Sequence, residues 1–351
     1  IVVAVAWIVA SRMLRGRTDP RLLRTTWLVL LFASLLANRL RDFNAEVLTT
    51  VCVGVGILCL ATGRRVGLGW AAIVVGAVNT PAAIIALAPI ACLEALRTRQ
   101  LRHVAPLGIA ALLVVVEAWI RRGSPFDTGY GNDHGVATLL PYSGRPGFSY
   151  PFLLGVASIL FSFGRGLLFF APGLVLWLDA RTRRVVAHHR RALVLMLVFV
   201  GGLVVVYAKW WAWYGGISWG PRFFVFAAVP ASVLLAFRIR SVGASRLADA
   251  ATLGVLGLSA WVGVIGLTAD ISALGVCARG NYSFESFCWY VPEYSSLWQP
   301  FLHRPPLTGS TLLVASWCAL VFLYLAFPLG RSIFAERFGH ADAAWARGWK
   351  F

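Results

Sequence analysis

The chain has 351 residues, of which 59% are hydrophobic and 13% are charged, whereas soluble domains carry about 25% charged residues. This composition excludes a soluble globular protein, a disordered chain, a coiled coil and a disulfide-rich scaffold. The charge is unequal, with 32 Lys and Arg residues against 14 Asp and Glu residues. Such an excess also occurs in nucleic-acid-binding proteins, so the positions of the cations along the chain decide its meaning.

Apolar stretches separated by polar breaks predict an all-α transmembrane bundle with about 10–11 membrane segments, some too short to cross a bilayer alone. They lie at about residues 1–10, 26–38, 46–62, 67–79, 80–93, 104–120, 151–178, 192–208, 223–237, 249–268 and 309–329. The turn Asn79-Thr80-Pro81 separates two of these stretches, and proline ends a helix. We interpret them as two short crossings rather than one kinked crossing.

The connections between the stretches form two alternating sets that differ in basic charge. One set holds 22 cations, and the other holds nine in longer loops. The basic set comprises residues 11–25, 63–66, 94–103, 181–191, 238–246 and 330–351, and the other set comprises residues 39–45, 121–150, 209–222 and 269–308. Because cytoplasmic loops are enriched in Lys and Arg, we predict a multi-pass plasma-membrane protein with the long loops outside. The net charge of +18 is then an orientation signal, and no nucleic acid is needed to explain it.

We expect one transmembrane domain at residues 1–330 and a cytoplasmic interfacial tail at residues 331–351, where aromatic and basic residues alternate.

The first polar cluster on the predicted outer face runs from Arg39 to Glu46. Asp42 and Glu46 are four residues apart, so at a helix end they share a face. They are candidate catalytic carboxylates or ligands of a divalent cation. In the alternative interpretation both carboxylates only pair with Arg39 or Arg41 at the membrane interface.

The second cluster is the long loop at residues 121–150. Asp127, Asp133 and His134 are candidate ligands for a cation such as Mg²⁺ or Mn²⁺. Their spacing is not diagnostic of a metal site, and the many Gly, Pro and Asn residues favour turn chemistry instead.

The third feature is Arg165, which lies inside an otherwise apolar stretch between Gly164 and Gly166. A cation inside a span costs about 2.5–3.5 kcal/mol, so it needs a partner. We expect either a buried carboxylate, in a structural ion pair, or the phosphate of a bound ligand.

The fourth feature is a tryptophan-rich segment in which four of the fifteen tryptophans lie within residues 210–219, between Lys209 and Arg222. An interfacial aromatic belt is the alternative interpretation, but a belt requires neither Gly215-Gly216 nor a Gly-Pro-Arg sequence. The composition indicates a site for a phosphorylated sugar, with Lys209 and Arg222 as phosphate ligands. The candidate sugar- or lipid-binding rings are Trp211, Trp213, Tyr214 and Trp219.

The cysteines agree with this topology. Four of them, Cys52, Cys59, Cys92 and Cys318, fall within apolar stretches and are predicted core residues. Cys277 and Cys288 share an outer loop, where a disulfide is chemically allowed.

Two motifs carry a family resemblance. The segments 160–172 (LFSFGRGLLFFAP) and 210–223 (WWAWYGGISWGPRF) resemble those of bacterial glycosyltransferases of the GT-C superfamily, which depend on phospholipid carriers and are related to protein mannosyltransferases. Phe163 and Ala171 depart from the family pattern, where proline and serine are usual. Residues 79–81 and 43–46 are similar to two shorter family segments, and of the second only Glu46 is kept. The resemblance covers most of residues 26–237.

The resemblance implies a GT-C-like fold and transfer of a sugar from a polyprenyl-phosphate carrier to a glycan, lipid or protein acceptor on the outer face. It implies that Arg165, Lys209 and Arg222 stabilise the donor phosphate. In that superfamily the base is usually a carboxylate in the first outer loop. The chain begins inside what would be the second span, so we expect the first span, that loop and the main base to lie before residue 1 and this fragment alone to be inactive. Glu46 and Asp42 are then assisting carboxylates.

Two other classes stay open at this point. A transporter or flippase of lipid-linked sugars would be expected to carry inverted repeats and several ionisable residues at mid-membrane. Only Arg165 and Glu117 meet the second criterion, and no repeat is visible. A non-catalytic, lipid-binding member of the fold is the third class.

Overall fold

The computed structural model describes residues 1–41, 44–127, 129, 134–137, 143–243, 245–268, 271–279, 282–302 and 308–334, without the side chains of residues 271–273. Within these ranges the chain is helical and forms no β-strand. The α-helices of ten or more residues are α1 (Val2–Leu14), α2 (Pro20–Phe32), α3 (Ala45–Thr62), α4 (Val66–Asn79), α5 (Ala83–Thr98), α6 (Ala105–Arg122), α7 (Phe152–Phe161), α8 (Arg190–Tyr207), α9 (Ala228–Arg240), α10 (Arg246–Thr268) and α11 (Gly309–Phe334).

Six described helices are long and apolar enough to cross a membrane. They are Ala45–Thr62, Leu101–Arg122, Ala187–Tyr207, Arg222–Arg240, Arg246–Thr268 and Gly309–Phe334, of which three include adjoining 3₁₀ turns. Helices α1, α4 and α7 are apolar but shorter. The prediction of an all-α membrane protein is therefore confirmed, although fewer helices reach spanning length than the 10–11 predicted segments. The GT-C-like arrangement stays a prediction.

The predicted segment 151–178 is not one continuous helix, which corrects the sequence-based interpretation. Helix α7 ends at Phe161, a short helix covers Leu167–Phe170, and a 3₁₀ helix covers Pro172–Leu178. Residues 162–166 between them are not helical. Glycine and proline weaken this stretch as a helix, and Arg165 within it reaches partners far along the chain.

Helices α3, α4 and α5 run alternately up and down the bundle. The Asn79 side chain donates to the Ala45 carbonyl at 2.7 Å, so α4 ends where α3 begins. At the opposite end, Arg191 donates to the Ala61 carbonyl at 3.3 Å and pairs with Glu94 at 2.5 Å. Helix α5 therefore ends beside the end of α3, and residues 67–93 cross the bundle twice, as predicted.

The same alternation gives the molecule two distinct ends. We call one end the basic end, which comprises the described residues of connections 15–19, 63–65, 99–104, 179–189 and 241–245. We call the other the tryptophan end, which comprises the described residues of connections 33–44, 80–82, 123–151, 208–221 and 269–308. At the basic end, buried Asp249 lies 3.9 Å from Arg238 and accepts hydrogen bonds from the Gly243 amide and the Ser332 hydroxyl. This cluster ties α9, α10 and α11 together. The positive-inside rule places the basic end in the cytoplasm, which stays a prediction.

Helix α11 runs through Phe334, four residues into the predicted tail that starts at residue 331. The rest of that tail, residues 335–351, lies outside the described residues.

Glycines allow several helices to touch backbone to backbone, which is common between membrane helices. A Cβ atom at Gly202 of α8 would lie 2.6 Å from the Cα of Ala86 on α5. Similar close contacts join Gly155 to Ala208, Gly173 to Ala231 and Gly263 to Phe32. The adjacent Gly201 has no such neighbour, since nothing lies within 4 Å of a Cβ placed there.

We therefore expect Gly202→Ala to lower stability by about 1–3 kcal/mol, because the added methyl group forces α5 and α8 apart. Gly201→Ala is the matched control and leaves stability equal or slightly higher, since alanine favours a helix. Thermal unfolding in detergent, followed by tryptophan fluorescence, measures both. Equal melting temperatures for the two variants would contradict the close packing of α5 on α8.

Candidate functional site at the tryptophan end

The tryptophan loop, residues 209–222, connects α8 to α9 and folds without regular helix up to Pro221. Gly215, Gly216 and Gly220 adopt φ angles of +79°, +72° and +64°. Only glycine adopts this left-handed backbone conformation without strain. These glycines let the loop turn several of its carbonyl groups inward, toward buried arginine side chains.

Arg165 is buried, with 4% of its surface exposed, and it binds this loop. Its guanidinium donates to the carbonyl oxygens of Ser218, Gly220 (2.6 Å) and Gly216 (3.0 Å). Its hydrogen-bond partners are backbone carbonyls, and its charge also interacts with the buried carboxylate of Glu285. Because its terminal nitrogens are engaged and buried, Arg165 organises the loop, and its role at a donor phosphate stays a prediction.

A second buried cation supports the same loop. Arg39 donates to the Trp219 carbonyl at 2.6 Å. The neighbouring Asn38 donates to the Gly266 carbonyl of α10 at 2.8 Å. The segment before α3 is thus joined to both the loop and α10.

Glu46, in the first turn of α3, meets Arg222, the last residue of the loop. The Arg222 Nε donates to a Glu46 carboxylate oxygen at 2.5 Å, across 176 positions of sequence. The Glu46 side chain is 10% exposed and that of Arg222 is 44% exposed. The alternative in which Glu46 pairs with Arg39 or Arg41 is therefore wrong. Asp42 lies outside the described residues, so its role stays a prediction.

Three of the four candidate aromatic rings are buried, and their predicted sugar- or lipid-binding role stays a prediction. Trp213 packs edge-on against Trp289, and Tyr214 stacks on Trp289 with ring centroids 3.9 Å apart. Trp219 packs edge-on against Phe170. These rings form core contacts. Trp211 is the exception, because it is half-buried.

Glu285 lies under Tyr214, whose hydroxyl donates to its carboxylate at 3.0 Å. Burial raises the pKa of Glu285 to about 7, although the Tyr214 hydrogen bond and the charge of Arg165 lower it. Sequence analysis missed this residue, because a single Glu in a long loop carries no pattern. It also treated Arg39 only as a partner for nearby carboxylates.

Cys277 and Cys288 form a disulfide, as predicted. It closes the segment that carries Glu285, and Trp289 follows Cys288 directly. The same segment touches the residues around Arg165, since the Gly164 amide donates to the Trp289 carbonyl at 3.0 Å. The disulfide therefore braces the segment that contacts the residues around Arg165.

The other described candidate residues, Lys209, Asp127 and His134, make different contacts. Lys209 has an exposed side chain, and its carbonyl accepts from the Tyr150 amide at 3.0 Å. Asp127 accepts from the Gly129 amide at 2.7 Å, so it caps a turn. His134 is exposed, and Asp133 lies outside the described residues. The described residues contain no group of three His, Cys, Asp or Glu side chains that could hold a metal ion.

Comparison with protein-family models, curated proteins and solved structures found no match to this chain.

Arg165→Met is expected to lower stability by roughly 3 kcal/mol or more, because three buried carbonyl groups lose their donor. Arg184→Met, at an exposed arginine of the basic end, is the control. Thermal unfolding and limited proteolysis of the tryptophan loop measure the effect. If both variants behave alike, Arg165 does not organise the loop.

Glu285 makes stability depend on pH. Its pKa of about 7 in the folded protein exceeds the ordinary glutamate value of 4.5. Between these pH values the unfolded chain releases the proton first, so this residue lowers stability as pH rises from about 4.5 to 7. Glu285→Gln keeps an acceptor for Tyr214, and we expect its melting temperature to vary less with pH across this window. Above pH 7 we expect this variant to be relatively more stable than the wild type. Glu293→Gln, at an exposed residue of the same segment, keeps the wild-type slope. An unchanged slope in Glu285→Gln would refute the assignment.

Proposed function

We propose that the protein is a membrane glycosyltransferase that moves a sugar from a polyprenyl-phosphate carrier to an acceptor at its tryptophan end. The observation that supports this most directly is the pairing of Glu46 with Arg222. It places a carboxylate and a partly exposed cation together at the edge of a loop that two buried arginines hold in shape. Transfer of a sugar from a phosphate needs these two kinds of group.

The reaction exchanges one bond at the anomeric carbon for another. The acceptor oxygen forms a bond to that carbon, the bond from carbon to phosphate oxygen breaks, and the carrier leaves as a phosphate. The hydroxyl proton of the acceptor passes to a carboxylate. Negative charge grows on the leaving phosphate, and a nearby guanidinium stabilises it.

Arg222 is the proposed ligand of the leaving phosphate. Glu46 occupies its Nε, and the two terminal nitrogens have no hydrogen-bond partner among the described residues. Those nitrogens form a flat pair of donors that matches two phosphate oxygens. Since 44% of the Arg222 side chain is exposed, a headgroup can reach it.

Glu46 is the proposed positioning residue for Arg222, and its second oxygen is a candidate proton acceptor. That oxygen is buried and without a hydrogen-bond partner among the described residues. Asp42, four residues earlier, is the second proposed carboxylate. A divalent cation, Mg²⁺ or Mn²⁺, stays a proposed ligand, and no step of the proposed reaction is assigned to it.

Trp211 is the remaining aromatic candidate for the sugar, since it is half-buried and its indole nitrogen has no partner among the described residues. Lys209 stays a proposed second cation for the donor. We propose that the tryptophan end faces the outside of the plasma membrane. The disulfide between Cys277 and Cys288 supports this orientation, because disulfides persist in oxidising compartments.

The test measures sugar transfer from a radiolabelled polyprenyl-phosphate sugar in membranes that contain the protein. Arg222→Ala is expected to lower transfer by about 100-fold or more, as loss of one transition-state donor does. Arg222→Lys recovers part of the activity, since it keeps the charge without the paired donors. Glu46→Gln lowers transfer less than Arg222→Ala, because the amide still accepts a hydrogen bond from Arg222.

Arg279→Ala is the control, because it removes an exposed cation from the same end of the bundle. Wild-type transfer in both Arg222→Ala and Glu46→Gln would remove this site assignment. If wild-type membranes translocate the labelled carrier without transferring its sugar, the protein is a flippase instead.

A further inference from the structure

An apolar groove of about 240 Å³ opens between α1, α2 and the rest of the bundle. Its walls come from α1, α2, α3, α8 and α9. On α3 its lining extends from Thr50 to Thr62. With a rise of 1.5 Å per residue, the groove is roughly 18 Å long.

The groove ends among polar and basic side chains at the basic end, where Arg17, Thr18, His188, His189 and Arg191 line it. Arg191 is already neutralised, since it pairs with Glu94 at 2.5 Å. Arg17 donates only to the Thr62 carbonyl, at 3.1 Å, and makes no ion pair among the described residues. The buried Thr18 hydroxyl has no partner among the described residues. This end therefore offers a positive charge and a free hydroxyl.

We propose that the groove binds one chain of an anionic phospholipid and that Arg17 and Thr18 hold its phosphate. The ligand comes from the bilayer leaflet at the basic end. Its hydrocarbon chain lies along Ala6 and Ala10 of α1, which are buried, while Val5 and Ile8 on the same helix face outward. Helix α1 would separate this chain from the bulk lipid.

The charge pattern favours a lipid over a protein partner. An α-helix with its side chains is about 10 Å wide and fills far more space than this groove provides, whereas a single extended chain is narrow. A zwitterionic lipid such as phosphatidylcholine also carries a phosphate, but its choline cation offsets the attraction between that phosphate and the arginines at this end. The proposed headgroup site is separate from the proposed donor site, because Arg17 and Thr18 lie at the basic end whereas Glu46 lies where α3 begins, at the tryptophan end. The apolar groove itself reaches Thr50, one turn from Glu46.

The experiment compares thermal stabilisation of the purified protein in neutral detergent by dioleoylphosphatidylglycerol and by dioleoylphosphatidylcholine. A ligand that binds only the folded state raises the melting temperature in proportion to its occupancy. The anionic lipid is expected to raise it more than the neutral one. Arg17→Gln weakens the apparent affinity for the anionic lipid about tenfold, as loss of a charged hydrogen bond does. Its response to the neutral lipid stays unchanged.

Gly54→Leu blocks the groove itself. A Cβ at Gly54 meets only Phe226, at 3.9 Å, so a leucine side chain extends into the open space. We expect this variant to lose the response to the anionic lipid. Gly254→Leu and Arg184→Gln are the controls, because Gly254 is in open space on α10 and Arg184 is exposed. Both keep the wild-type response.

Equal stabilisation of the wild type by the two lipids would overturn the proposal. A wild-type response in Gly54→Leu would also overturn it. Displacement of the anionic phospholipid by a polyprenyl phosphate at equal concentration would overturn it as well. If Arg222→Ala abolishes sugar transfer but keeps the lipid response, both proposals stand. If sugar transfer fails in every form of the protein and the lipid response persists, only the glycosyltransferase proposal falls.

Discussion

The arrangement of the tryptophan end depends on how the molecule accommodates the buried guanidinium of Arg165. A buried charge must be solvated by the protein, and here the carbonyl groups of Ser218, Gly220 and Gly216 do so. The chain can present these carbonyls together only because its glycines accept positive φ angles. The loop then ends with Arg222 beside Glu46. One buried cation thus sets the position of a second, accessible one.

The apolar pattern and the alternation of arginines were enough to predict the membrane helices and the two ends. Both signals extend over whole helices and do not depend on which side chains meet. The reversal at Asn79-Thr80-Pro81 was predictable for the same reason, because merging the two helices would have inverted every later loop. The pairing of Cys277 with Cys288 followed from their position in one loop.

The partners of the functional side chains could not be predicted, because they come from distant parts of the chain. From the sequence alone, Arg165 required an anionic partner. Only the folded loop shows that carbonyl groups bind its guanidinium. Trp213 and Trp219 have the composition of a sugar platform, but their rings are buried against Trp289 and Phe170. Glu285 acquires its raised pKa from burial under Tyr214, which no local pattern records.

The glycine contacts between helices also restrict how the molecule can move. Backbone lies directly against backbone where Gly202 meets Ala86, where Gly173 meets Ala231 and where Gly263 meets Phe32. Alternating access requires one half of a bundle to rock against the other, and these contacts would have to separate for that to happen. Under the proposed function, substrates and products would then exchange sideways with the bilayer or at the tryptophan end, while the helices hold still.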